Sequence, residues 1–223
     1  MSERGIIFSG PMVRAILADR KTVTRRLVRA NTKRLAGARD LAAAQPMAGG
    51  LFVPSSGMVL STASGGLSKA MQDTILHCPY GARGDRLWVR ETWQTCTDPD
   101  DRDPDEVVYA ADHDGEHPGF AEDGWSWRPS IYMPRWASRI TLEIERTRVE
   151  RLHAITDDDA RAEGCAGGHD SIPGYRFSAT PREHFEHLWR EIHGGGANPW
   201  PANPWVWVVS FRLLSTRRKG VAA

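Results

Sequence analysis

Apolar residues recur along this chain in two rhythms, and each change of rhythm marks a new element. Ile140, Leu142 and Ile144 alternate with Thr141, Glu143 and Glu145, the period of two of a strand with one buried face. The stretch "RITLEIERTRV" therefore predicts one long strand. Leu87 and Val89 alternate with Trp88 and Arg90 in "DRLWVRETW" and predict another. "GIIFS" at 5–9 reads as a short buried strand punctuated by Gly10-Pro11. "KTVTRRLV" at 21–28 turns to β-branched residues, and "WVWVVSFRLL" at 205–214 supplies a last strand.

The helical rhythm appears three times. In "PMVRAILADR", Met12, Ala15, Ile16 and Asp19 follow helical spacing, while Val13 and Leu17 widen the apolar face. "ITDDDARAEG" has Thr156 as N-cap, acids in its first turn and Gly164 as its stop. "TPREHFEHLWREIHG" has Thr180 as cap, Pro181 at its first position and an apolar face of Phe185, Leu188, Trp189 and Ile192. Strands outnumber helices, and the helices separate strands that are not neighbours in sequence. The pattern predicts an α+β fold with a small mixed sheet or barrel.

Two segments break the pattern. Residues 30–77 are rich in Ala, Gly and Ser, and 97–127 are strongly acidic, with 11 Asp or Glu between Asp98 and Asp123 against one arginine. Both read as insertions that bury little apolar surface.

Composition then narrows the class. With 223 residues, 40% hydrophobic and 26% charged, the chain suits one decorated soluble domain or two small ones. Cys78, Cys96 and Cys165 lack the spacing of a disulfide framework or a zinc finger. No apolar run reaches the roughly 18 residues that a membrane span needs, and the N-terminal segment has no signal-peptide pattern. A cytoplasmic location, with no membrane partner, is the expectation.

A net charge of +1 conceals a strong segregation. Nine Lys or Arg stand between Arg14 and Arg39 with Asp19 as the one acid, and a second basic set comprises Arg135, Arg139, Arg146, Arg148 and Arg151. Such faces suit a phosphate-bearing partner, or they are solvated surfaces balanced by the acidic segment. Trp88, Trp93, Trp127, Trp136 and Trp207 lie near the basic segments and could stack on bases, although an indole is first a large apolar body. His184, His187 and Glu191 share one side of a helix, yet no HExxH pattern exists and a polar helix face accounts for them, so neither a metal nor a cofactor is expected. No phosphate-binding glycine motif occurs.

Taken in order, "ILADRKTVTRR", "GDRLWVRETW", "WRPSIYMPRWASRI", "ITDDDARAEG" and "NPWVWVVSFRLL" resemble the ASCH domain family, within the PUA-like fold, and most of all its larger bacteriophage and prophage members. The resemblance implies a single domain over 1–223, a compact β-barrel flanked by helices with 30–77 and 97–127 as insertions, and a cleft for RNA or nucleotides. Candidate ligand contacts are Thr22, Arg25 and Arg26 in the first motif, Trp88, Arg90 and Glu91 in the second, and Arg135 and Arg139 in the third. A small bacterial branch of the family hydrolyses N(4)-acetylcytidine with a lysine, a threonine three positions later and a helical glutamate. These fall on Lys21, Thr24 and, through a shared T-x-x-x-A-x-x-E pattern, Glu163.

The chemistry is intelligible without the family. A threonine hydroxyl needs a base to become a nucleophile. A lysine serves as that base where burial or neighbouring cations favour its neutral form, and Arg20, Arg25 and Arg26 are such neighbours in sequence. Glu163 could return the proton to a leaving amine, but tight pairing with Lys21 would oppose the lysine's role. The functions left open are a binding module for RNA or a modified nucleotide, an amidohydrolase of an acylated nucleobase, an RNA-cleaving protein, and a phage assembly protein. The bland reading of "KTVTRR" is an ordinary surface strand.

Overall fold

The structure is a computed structural model that describes residues 1–28, 45–47, 51–53, 76–95, 107–113, 126–196 and 198–217. The chain divides into two compact units interleaved along the sequence. The first takes 1–22, 84–144 and 211–223, and the second takes 23–83 and 145–210.

The fold is mixed α+β. Strands β1 (Glu3–Ile7), β2 (Val23–Leu27), β6 (Arg86–Arg90), β9 (Ile140–Arg151) and β10 (Trp205–Thr216) form a five-stranded sheet in the order β1-β6-β9-β10-β2. The pair β1–β6 is parallel, whereas β6–β9 and β10–β2 are antiparallel. The sheet is open rather than the closed barrel expected from the resemblance: β1 and β2 are its two edges, and among the described residues they do not pair with each other. "DRLWVRETW" is also divided. Its second part, β7 (Trp93–Thr95), leaves the five-stranded sheet and pairs with β8 (Val107–Tyr109). Short strands β3 (Gln45–Met47), β4 (Leu51–Val53) and β5 (Leu76–His77) make a separate three-stranded antiparallel sheet.

In the first unit, α1 (Gly10–Leu17) has Pro11 in its first turn and buries Val13, Ala15 and Ile16. It stops before Asp19, which adopts a left-handed φ of 54° and so cannot continue the helical face. Gly5 makes room for the Trp88 ring: a Cβ there would stand 2.9 Å from it, so the ring would have to shift. Trp93, Val107, Tyr109, Met133 and Ala137 form a buried cluster, with Trp136 set edge-on to Trp93 at 88°. Val107 and Tyr109 fall inside the expected acidic insertion, so this part of it contributes core; most of 97–127, like most of 30–77, lies outside the described residues.

In the second unit, α2 (Asp157–Ala162) and α3 (Pro181–His193) cover one face of β2 and β10. Both helices begin with complete capping boxes, Thr156 with Asp159 and Thr180 with Glu183, each cap contributing about 1 kcal/mol. Val23, Val206 and Val208 pack with Leu152, Ala160, Phe185, Trp189 and Trp200. Ile192, expected on the apolar face of α3, is 61% exposed, because Phe185, Leu188 and Trp189 already fill the contact. On the opposite face of these strands Trp205 and Trp207 pack with Cys78, Val149, Val28 and Tyr80. Among the described residues no helix is long and apolar enough to cross a membrane.

Candidate functional site

The strand β2 carries the residues that the sequence singles out, and its pleat sorts them. Residues opposed across an antiparallel pair share a face. Thr24 faces Val209 and Arg26 faces Trp207, while Val23 and Arg25 face Ser210 and Val208. Val23 and Leu27 belong to the helix-covered core and Val28 to the tryptophan cluster. Arg25 therefore points to the helix side, with Thr24 and Arg26 on the tryptophan side.

Arg25 is the centre of a buried charge network. Its side chain is fully buried and reaches Glu150 at 2.6 Å, Asp159 at 3.3 Å and Glu163 at 3.4 Å. Nε adds a second bond to Glu150 at 3.0 Å. Arg148 closes a ring by binding the other oxygens of Glu150 and Asp159 at 3.0 and 3.2 Å. Burial alone would lower the Arg25 pKa, but Glu163, Glu150 and Asp159 raise it above the ordinary arginine value. Asp159 shows the reciprocal effect: burial pushes its pKa up, while Arg25, the Thr156 backbone and Arg148 overcome that and hold it low.

Arg26 differs from its neighbour. Burial lowers its pKa, outweighing the attraction of Tyr80 and Glu163. Glu163 thus acts on two arginines that point to opposite faces of β2, as suits a carboxylate beside an edge strand. It sits at the C-terminal cap of α2, buried, where Gly164 turns the chain at a φ of 95°.

Thr24 is 3% exposed and Lys21 is 2% exposed, so Lys21 is not a surface charge. Lys21 belongs to the first unit. Its backbone N–H donates to the Ala15 carbonyl at 3.1 Å, and its ammonium stands 5.7 Å from the Phe8 ring centre. Thr22 is half-buried, and its carbonyl accepts a bond from the Phe211 N–H.

The remaining candidates lie in the first unit. Arg90 stacks on Trp88 at 5.3 Å and donates to the Ile131 carbonyl. Arg135 pairs with Glu3 at 2.9 Å. Arg139 is gripped by Glu91 at 2.9 Å and by Asp112 at 2.6 Å. Glu91, expected to meet a ligand, is instead 1% exposed and holds this arginine; burial raises its pKa despite the Arg139 contact.

The structure thus brings together Arg25 with Glu163, Arg139 with Glu91, and Arg90 with Trp88, each pair within one unit. Sequence reasoning missed Glu150, Asp159, Asp112 and Glu3. The alternation of Arg148 and Glu150 along β9 was the available clue to the first, since residues two apart share a strand face. Asp159 had a sufficient explanation as a first-turn acid. Among the described residues no group of three His, Cys, Asp or Glu side chains is placed to hold a metal ion. His184 accepts the Gly167 N–H at 3.4 Å, and His187 pairs with Glu191 at 3.4 Å.

Comparison with family models, with curated proteins and with solved structures finds no match.

Proposed function

We propose that this chain acts on a nucleobase-bearing ligand of nucleoside or nucleotide size at the polar strand β2, hydrolysing an acylated exocyclic amine such as that of N(4)-acetylcytidine. The proposal includes an ASCH, PUA-like ancestry for the fold, on the motif resemblance given above. The observation that carries it is the burial of Thr24, Arg25 and Glu163 around one edge strand. Burying such groups is costly and gives weak returns in stability, so their concentration around one strand is characteristic of a working site.

In this reading the Thr24 hydroxyl attacks the acyl carbon and gives its proton to a base. Lys21, three residues earlier in the chain, is the base that the resemblance assigns. The carbon–nitrogen bond breaks, and the proton taken from Thr24 passes by way of the Glu163 carboxylate to the exocyclic amine as it leaves. Water then hydrolyses the acyl-threonine ester, releasing the carboxylic acid and restoring Thr24. A long RNA is less well supported as the ligand, since Arg25 is fully buried and enclosed by carboxylates of the chain.

The test is product release from a panel of acylated nucleosides, read by mass spectrometry, with melting curves for every variant. Thr24→Ala and Lys21→Ala should each cost at least about 100-fold, and the double variant little more than either single. Full turnover in the folded double variant removes the mechanism. A wild type that turns over no acylated nucleoside removes the hydrolase reading.

A further inference from the structure

We propose that the outer edge of the Arg139 guanidinium is a binding site for a phosphate group, held closed by Asp112 of the acidic segment. All the residues concerned lie in the first unit, so the proposal stands whether or not Thr24 is a nucleophile.

Arg139 has two hydrogen-bonding edges, and they are closed in different ways. The inner edge, Nε and Nη2, donates to the buried Glu91 carboxylate at 3.0 and 2.9 Å. The guanidinium also lies over the Tyr109 ring, 3.9 Å from its centre. That ring is fixed in turn by the bond from its hydroxyl to the Ala137 carbonyl at 2.9 Å. Two independent contacts therefore set the plane of the guanidinium. The outer edge, Nη1 and Nη2, donates to the two oxygens of Asp112 at 2.6 and 2.9 Å.

A planar fork with two parallel donors matches phosphate as well as carboxylate. Asp112 is replaceable where Glu91 is not. Its side chain is 44% exposed against 1% for Glu91, so on release it regains water while Glu91 would remain buried and uncompensated. It ends a single three-residue helical turn, Ala110–Asp112.

The surroundings favour an anion of higher charge than one carboxylate. Arg14 donates to the Ala111 carbonyl at 3.0 Å. The Arg217 backbone donates to the Arg139 carbonyl at 2.7 Å, and its guanidinium to the Trp136 carbonyl at 3.2 Å. Among the described residues, Arg14 and Arg139 bond to this turn and Arg217 to the Arg139 backbone, so an anion that displaces Asp112 meets cationic side chains. Asp112 is one of the 11 acids between Asp98 and Asp123, so the chain carries its own competitor for the site.

The experiment compares the whole wild-type protein with Asp112→Asn. Inorganic pyrophosphate is titrated by calorimetry, and a labelled short single-stranded RNA by fluorescence anisotropy, at low and at physiological ionic strength. Asp112→Asn should tighten binding of at least one probe by about tenfold, the effect of removing one charge-assisted competitor, and Arg139→Gln added to it should abolish the gain. Tightening for pyrophosphate marks a free phosphate or nucleotide as the ligand, and tightening for RNA alone marks a phosphodiester backbone. In the wild type, saturating pyrophosphate should also speed hydrogen exchange at the His113 N–H, which is bonded to the Ala110 carbonyl at 3.2 Å. This second readout holds if the variant folds poorly. Unchanged affinity for both probes with unchanged exchange at His113, or competition by acetate as strong as by pyrophosphate, overturns the proposal.

Discussion

Arg25, fully buried, and Arg139, with its side chain 11% exposed, are two cations held by carboxylates, and they differ in what holds them. Around Arg25 the acids come from β9 and α2, elements fixed by cap and core, and the side chain has no exposed surface. Around Arg139 one acid is buried and the other is nearly half exposed. The first network is closed on all sides, whereas the second has a wall that can exchange with solvent. An arginine's count of ion pairs therefore says little about its availability to a ligand; the exposure of its partners decides it.

Removing the cations should produce the largest difference between the two. Arg25→Met removes the shared partner of three carboxylates and should cost on the order of 3–5 kcal/mol of stability. Arg139→Met should cost about 2 kcal/mol, because Asp112, whose side chain is 44% exposed, can rehydrate. Urea denaturation of both variants checks this, and equal losses would break the comparison.

A finer contrast lies among the carboxylates of Arg25. Glu150→Gln disturbs its bonds to both Arg25 and Arg148 and should cost about 2 kcal/mol, whereas Glu163→Gln weakens a longer contact with Arg25, at 3.4 Å, and should cost less. Glu163 should then be the more expensive of the two for turnover. A reversed order of stability would show that Glu163, and not Glu150, is the principal anchor of Arg25.

The smallest effect is in acid. The folded Asp159 pKa lies below its ordinary value, so this group adds stability that is fully present above about pH 4 and is lost as the pH falls through the lowered folded value. Melting temperatures measured from pH 5 downward should fall less steeply for Asp159→Asn than for the wild type. Parallel curves would mean that the Arg25 network does not hold Asp159 charged.

Much of the fold was legible because its signals are local. The alternation of Ile140, Leu142 and Ile144 marks β9, and Thr156 and Thr180 mark the starts of α2 and α3. The open sheet was not legible, since whether β1 and β2 meet depends on pairing between strands distant in sequence. The candidate site was half legible. Lys21, Thr24, Arg25 and Glu163 were named, but the basic runs read as a surface for phosphates, while the structure gives Arg25, Arg135 and Arg139 to Glu150, Glu3 and Glu91. Sequence separations of 125, 132 and 48 residues hide such pairs, because no local rhythm links their partners.

The central claim, that Thr24 is a nucleophile, is tested most directly by trapping its acyl ester. The wild-type protein, mixed with N(4)-acetylcytidine and quenched in acid during turnover, is digested and the peptides are mapped by mass spectrometry. The account predicts a single acetyl group on Thr24, absent from Thr24→Ala. Cytidine release by Thr24→Ala at the wild-type rate, with no acetylated peptide in either protein, would contradict it.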